Sequence, residues 1–268
     1  LNRPLVMGIL NLTPDSFSDG GRFNKINDAM SCASSMVDNG VDIIDIGAES
    51  TRPGSEEVDA ETEWDRIKKI LPHLHKLKVP ISIDSRKPLV MNRALSNGID
   101  MINDVSGFQL EETLKIVESC KNDNIGFCIM HMQGTPNNMQ ESPRYGDVVA
   151  EVEHFLIQRY ETLLSCGIKK NNLLIDPGFG FGKTTDHNFD LLNAISRLKK
   201  IAPILVGVSR KRIIAEMSSR DSRPSDRLGG SLAAAIWSVS QGASVVRVHD
   251  VKETVDGLRV FHRLSKKK

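Results

Sequence analysis

Short apolar runs alternate along this chain with longer segments of helical periodicity. Eight runs read as strands: Leu5–Leu12, Asp42–Gly47, Pro80–Asp84, Met101–Val105, Gly126–Met132, Leu173–Asp176, Pro203–Ser209 and Val245–His249. Near-continuous apolar runs of this length suit strands covered on both faces, as in a parallel sheet. Between them, Trp64, Ile67, Ile70, Leu71 and Leu74 recur at three- and four-residue spacing, as do Val152, Phe155, Leu156, Tyr160 and Leu163. That spacing lines one face of a helix. Gly40, Gly98, Gly167 and Gly242 close four such segments, where a helix end asks for a left-handed residue. Eight β–α alternations without a change of composition predict a single (β/α)8 TIM barrel over residues 1–268; a doubly wound open sheet is the alternative.

Barrel enzymes place their sites at the C-terminal ends of the strands. Here those ends carry Asn11, Glu49–Arg52, Asp84, Asn103 and Asp104, His131, Asp176, Ser209–Lys211, and Arg247 with His249. One such Asp is ordinarily a turn former, but polar endings on six or more strands ask for another explanation. Strand alternation lets Asp84, Asn103 and Asp176 share the barrel interior. Two carboxylates and an amide would suit a flat heterocycle with several N–H donors. The competing reading is a buried network neutralised by Arg247 and Lys211. A second group, Asn11, Thr51, Arg52, Arg247 and His249, suits phosphate oxygens. An amide oxygen such as that of Asn11 can also join Mg2+ to a phosphate. Two long glycine-containing loops, residues 13–23 and 50–57, flank this mouth; Phe17 reads either as a lid residue or as packing beneath its own loop.

Charge narrows the function classes. Lys and Arg number 35 against 34 Asp and Glu, a net charge of +1. This balance gives no electrostatic case for nucleic acid or a membrane surface as partner. No apolar stretch reaches the roughly 18 residues of a spanning helix, and the run Leu5–Leu10 leads into Asn11-Leu12-Thr13-Pro14 with no small-residue cleavage site. Four cysteines, Cys32, Cys120, Cys128 and Cys166, form no C-x-x-C or zinc spacing, so a reducing compartment, the cytoplasm, is expected. Residues 176–184 look like a phosphate loop, but Pro177 stands where Walker A needs Gly, and Lys183 breaks a dinucleotide fingerprint. The glycines there are expected to make a tight loop or to let backbone approach a flat ligand.

Taken together, the strand-end segments resemble a known family. Met7–Gly21, Asp45–Gly54, Ser82–Ser85, Ile102–Gly107, Met130–Pro136, Asp176–Lys183, Ser209–Lys211 and Arg247–Val251 are similar, in order and at all eight strand ends, to the signatures of dihydropteroate synthases. The resemblance implies a folate-pathway transferase and sulfonamide target. It would join (7,8-dihydropterin-6-yl)methyl diphosphate to 4-aminobenzoate, releasing pyrophosphate. It further implies that Asp84, Asn103, Asp176 and Lys211 hold the pterin, walled by Met130, Phe181 and Gly207. Arg247 would stack on the ring and reach the diphosphate, with Thr51, Arg52 and His249 near the phosphates and Asn11 on Mg2+. Phe17, Pro53 and Lys211 would border the aminobenzoate pocket, and a homodimer is implied, with the apolar segment Leu232–Val239 contributing. Where the family often has a small hydroxyl residue, this chain has Arg212, which could take the benzoate carboxylate by charge or point away. A pterin-binding barrel that passes methyl groups to a corrinoid, and a non-catalytic pterin-binding paralogue, are the alternatives. The two loops and Ser209-Arg210-Lys211 speak against the first, and retention of Asn11, Thr51, Arg52, Asp84, Asp176, Lys211 and Arg247 against the second.

Overall fold

All eight expected strands form, each parallel to its neighbours. In the computed structural model, which describes residues 3–13, 22–50, 55, 57–218 and 222–265, they are β1 (Leu5–Asn11), β2 (Ile43–Gly47), β3 (Ile81–Asp84), β4 (Met101–Asp104), β5 (Gly126–Met130), β6 (Leu173–Asp176), β7 (Leu205–Val206) and β8 (Val245–Val248). Their order is β6-β5-β4-β3-β2-β1-β8-β7. A parallel bridge between Ile175 and Ile204 joins the two ends, with the Ile175 N–H donating to the Pro203 carbonyl at 3.1 Å. The sheet therefore closes into the (β/α)8 barrel, not an open doubly wound sheet.

Strand β7 is far shorter than Pro203–Ser209. Pro203 has no N–H to give the ladder. Beyond Val208 the chain turns away: Lys211 N–H bonds the Val208 carbonyl at 3.2 Å, and Arg210 sits in the left-handed region at φ 59°.

The helices are α1 (Arg22–Asp38), α2 (Ala60–Ile67), α3 (Leu71–Leu74), α4 (Pro88–Ser96), α5 (Glu111–Ser119), α6 (Val148–Ser165), α7 (Thr185–Asn193), α8 (Ile195–Leu198), α9 (Arg212–Met217), α10 (Leu228–Gln241) and α11 (Val251–Ser265). The periodic stretch from Trp64 to Leu74 is one buried face split into α2 and α3, with Pro72 in the first turn of α3. Asp59 caps α2 by accepting from Thr62 N–H, and Asp147 caps α6 by accepting from Ala150 N–H. The four segment-closing glycines all adopt positive φ. Gly8 is bare for a different reason: a Cβ there would stand 2.7 Å from Met36 Sδ, where α1 leans on β1.

The alternation of each strand separates two cores. Val6, Leu10, Ile44, Ile46, Ile83, Ile102, Phe127, Ile129, Ile175 and Val246 face outward into the helix layer. Met7, Met101, Cys128, Leu205 and Val245, with Leu5, Ile43 and Leu174, fill the barrel interior as an apolar floor. Two residues further along several of these strands, on the same inward face, stand Asp45, Asn103, Met130, Asp176, Gly207 and Arg247.

Candidate functional site

Arg247, rising from β8, is the hub of the barrel mouth. Its Nε donates to Asp45 Oδ2 and one terminal nitrogen to Asp84 Oδ2, each at 2.6 Å. Asn103 Nδ2 reaches the same Asp45 oxygen at 3.4 Å. The internal-counterion reading therefore holds for Arg247. Burial pushes the Asp84 carboxyl up to about 7 despite the Arg247 charge beside it. Burial also raises Asp176, against the opposing pull of Lys211 and the Gly178 N–H. It works against the Arg247 cation too, yet Asp45 and Asp84 hold that group above its ordinary value.

The network does not satisfy every acceptor. Asp45 Oδ1, Asn103 Oδ1 and Ser82 Oγ are buried without a hydrogen-bond partner. A buried unsatisfied polar atom costs about 1–3 kcal/mol, and three of them meet on the inward faces of β2, β3 and β4. Such a cluster suits a planar ligand with N–H groups along one edge. Asp45 was not among the residues the sequence reading singled out. It lies between two isoleucines, yet the Ile43–Asp45–Gly47 alternation places it on the face of Ile43, and that signal could have found it.

The loop after β6 supplies another wall. Asp176 Oδ1 accepts from Gly178 N–H at 2.7 Å. Lys211, the N-cap residue of α9, donates from Nζ to the Phe179 carbonyl at 2.6 Å and stands 4.4 Å above the Phe181 ring. Burial lowers the Lys211 ammonium to about 8. Met130 and Phe181 pack with Val105 and Met139 into a small apolar cluster beside these groups. The glycines make the tight loop: a Cβ on Gly178 would fall 1.8 Å from the His131 carbonyl oxygen, and one on Gly182 2.5 Å from that of Gln133. They serve backbone contact with the β5–α6 loop.

At the rim, Gly47 separates two of the expected groups: a Cβ there would lie 3.7 Å from both Asn11 Oδ1 and Asp84 Cβ. Gly207 faces Arg247 in the same manner, 3.7 Å from its Cβ. His249 sets Nδ1 at 3.2 Å from Ser209 Oγ. Among the described residues no group of three or more His, Cys, Asp or Glu could hold a metal. The amide oxygen of Asn11 is the kind of hard donor that would suit Mg2+.

Three strand-end residues do other work. Asp104 accepts from Ser106 and Phe108 N–H at 2.8 and 2.7 Å and is the turn former of its loop. Arg210 pairs with Asp250. Arg212 opens α9, pairs with Glu216 one turn on, and has an 87% exposed side chain. Phe17, Thr51, Arg52 and Pro53 lie outside the described residues.

The chain is similar to several known proteins. The family model for pterin binding enzymes covers residues 7–249. The dihydropteroate synthase of Escherichia coli is 45% identical over 97% of this chain and 91% of its own length. That of Neisseria meningitidis serogroup B is 43% identical over 99% of this chain and 94% of its own. The Xanthomonas albilineans dihydropteroate synthase solved with 4-aminobenzoic acid superposes with a TM-score of 0.92 at 42% identity, covering 99% of this chain and 94% of that one. The same organism's enzyme in complex with 7,8-dihydropteroate gives 0.88 at 40% identity, covering 99% and 95%.

Proposed function

The chain belongs to the pterin-binding enzymes and has dihydropteroate synthase activity, and we propose that its barrel mouth works as follows. The substrates are (7,8-dihydropterin-6-yl)methyl diphosphate and 4-aminobenzoate; the products are 7,8-dihydropteroate and pyrophosphate. The observation that carries the assignment of the site is the cluster of unpaired buried acceptors around Asp45 and Asn103. With Asp176 they take the N–H edge of the pterin, between the apolar wall of Met130 and Phe181 and the Arg247 guanidinium. Lys211 borders both pockets.

Cleavage of the C–O bond leaves positive charge on the pterin methylene and negative charge on the pyrophosphate. Asp84 and Asp176 favour the first, and Arg247, with His249 and Thr51 at the phosphates, favours the second. Asn11 would hold Mg2+ through its amide oxygen, and the ion would supply further neutralisation of the leaving group. The aniline nitrogen attacks the methylene carbon and then loses a proton, so no protein nucleophile is needed. The family resemblance implies Phe17 and Pro53 at the aminobenzoate and Arg52 at the phosphates. Arg212 takes the benzoate carboxylate only by leaving Glu216.

No helix among the described residues is long and apolar enough to cross a membrane, and a cytoplasmic setting fits the free cysteines. Exposed Trp237 on α10 and Val260 and Leu264 on α11 support a homodimer through these helices. A Yersinia pestis relative was solved as a sulfonamide complex, and this chain is proposed as a sulfonamide target too. If diphosphate and Mg2+ complete the 4-aminobenzoate pocket, a pocket formed only ~1–10% of the time when empty gains ~10–100-fold in affinity. Titrating a sulfonamide with and without Mg2+ and pyrophosphate tests this; equal affinities would show a pocket that needs neither.

A further inference from the structure

One buried cation has no role in the reaction as described. Lys183 is 3% exposed, and no carboxylate lies within ion-pair distance of it among the described residues. Its Nζ donates to the Gly178 carbonyl at 3.0 Å, the Phe181 carbonyl at 3.0 Å and His131 Nδ1 at 2.9 Å. With the His131 carbonyl at 3.4 Å as a longer fourth contact, these acceptors engage all three donors of an ammonium. They also span two loops, since His131 follows β5 whereas Gly178 and Phe181 follow β6.

We propose that Lys183 is a positioning residue for the pterin site, its ammonium fixing the β6–α7 loop in the shape that presents Asp176 and Lys211. Each link is a contact already described. Gly178, whose carbonyl Lys183 holds, gives its N–H to Asp176 Oδ1. Phe181, whose carbonyl it also holds, places its ring beneath the Lys211 ammonium, and Phe179 between them accepts from Lys211. Lys183 thus sits behind the loop while both substrate-facing groups lean on the front of it.

The surroundings agree. The His131 ring packs edge-on against Phe155 at 5.0 Å and near Tyr145, and burial lowers its pKa to about 3, so Nδ1 is a neutral acceptor. Tyr145 Oη donates to the Gly182 carbonyl at 2.9 Å, pinning the far end of the same loop. Asp176 is the nearby charge that favours the Lys183 cation against the cost of burial, which brings it down to about 7. Loss of that cation withdraws support from ionised Asp176 as well as from the loop.

The inference rests on the dihydropteroate synthase reading, so wild-type turnover is measured first; its absence would defeat that reading alone. Lys183→Met removes donors and charge, and Lys183→Gln keeps donors without charge. With calorimetry of 6-hydroxymethylpterin as probe, Lys183→Met is expected to bind at least about tenfold more weakly, the loss of a charge-assisted hydrogen bond. Lys183→Gln is expected to recover part of that loss, and the KM for 4-aminobenzoate to change less in both. A merely structural role would lower the melting temperature and leave the pterin dissociation constant of the folded protein unchanged, which overturns the proposal. If neither variant folds, His131→Asn reads the same loss through one contact, expected at about threefold; an unchanged affinity there overturns it equally.

Discussion

Asp176→Asn separates binding from stability. The side chain is 6% exposed, and its Oδ1 accepts from Gly178 N–H at 2.7 Å. An asparagine carbonyl can keep that bond, and the amide nitrogen then takes the other oxygen's place. It presents donors to the donors of the pterin. Losing a buried acceptor costs about 1–3 kcal/mol, more for a charged group. At 1.4 kcal/mol per decade, affinity falls by at least about tenfold. Stability moves the other way. Burial raises the Asp176 pKa, so its ionised form burdens the folded state at any pH above the unfolded value of about 3.9. Asparagine carries no such charge, and the melting temperature at pH 8 should hold or rise. The assay is calorimetric titration with the pterin diphosphate in the absence of 4-aminobenzoate, paired with a thermal melt. Unchanged pterin affinity would refute the assignment of Asp176. Weaker binding with a parallel fall in melting temperature would refute the separation.

Asp45→Asn leaves Arg247 with Asp84 as its single carboxylate, and breaking a buried pair costs about 3–5 kcal/mol; urea unfolding should show it, with pterin affinity falling as well. Arg212→Ala removes an exposed pair with Glu216 and should change stability by no more than about 0.5 kcal/mol, leaving pterin affinity intact; a raised KM for 4-aminobenzoate would show that the guanidinium reaches the substrate. His131 is held near 3 by burial, so unfolding between pH 6.5 and that value takes up a proton and stability falls with pH, by up to about 1.4 kcal/mol per unit. His131→Asn should flatten this acid limb relative to wild type in denaturant titrations from pH 7 to 4, and an identical slope would show His131 already charged.

The barrel was legible because parallel strands covered on both faces leave continuous apolar runs, and the polar residues at their ends stood out against those runs. Asp84, Asn103, Asp176 and Arg247 follow from alternation alone. Asp45 escaped because attention to strand ends passes over a carboxylate two residues inside one. Asp104, beside Asn103 at the same strand end, lies on the other parity and bonds its own loop instead. Lys183 escaped for a related reason. A lysine in a glycine-rich segment suggests phosphate, and nothing local reveals that its partners are two carbonyls of its own loop and a histidine 52 residues earlier. The short extent of β7 depends on the turn at Arg210, a tertiary feature held by Ser231 Oγ on its N–H.

Coupled release of both products tests the assigned reaction most directly. The protein is mixed with (7,8-dihydropterin-6-yl)methyl diphosphate, 4-aminobenzoate and Mg2+, and pyrophosphate and 7,8-dihydropteroate are followed together. The predicted result is one pyrophosphate per dihydropteroate, with both products lost in Arg247→Ala. Binding of the pterin without release of pyrophosphate, or release that does not depend on 4-aminobenzoate, would contradict it.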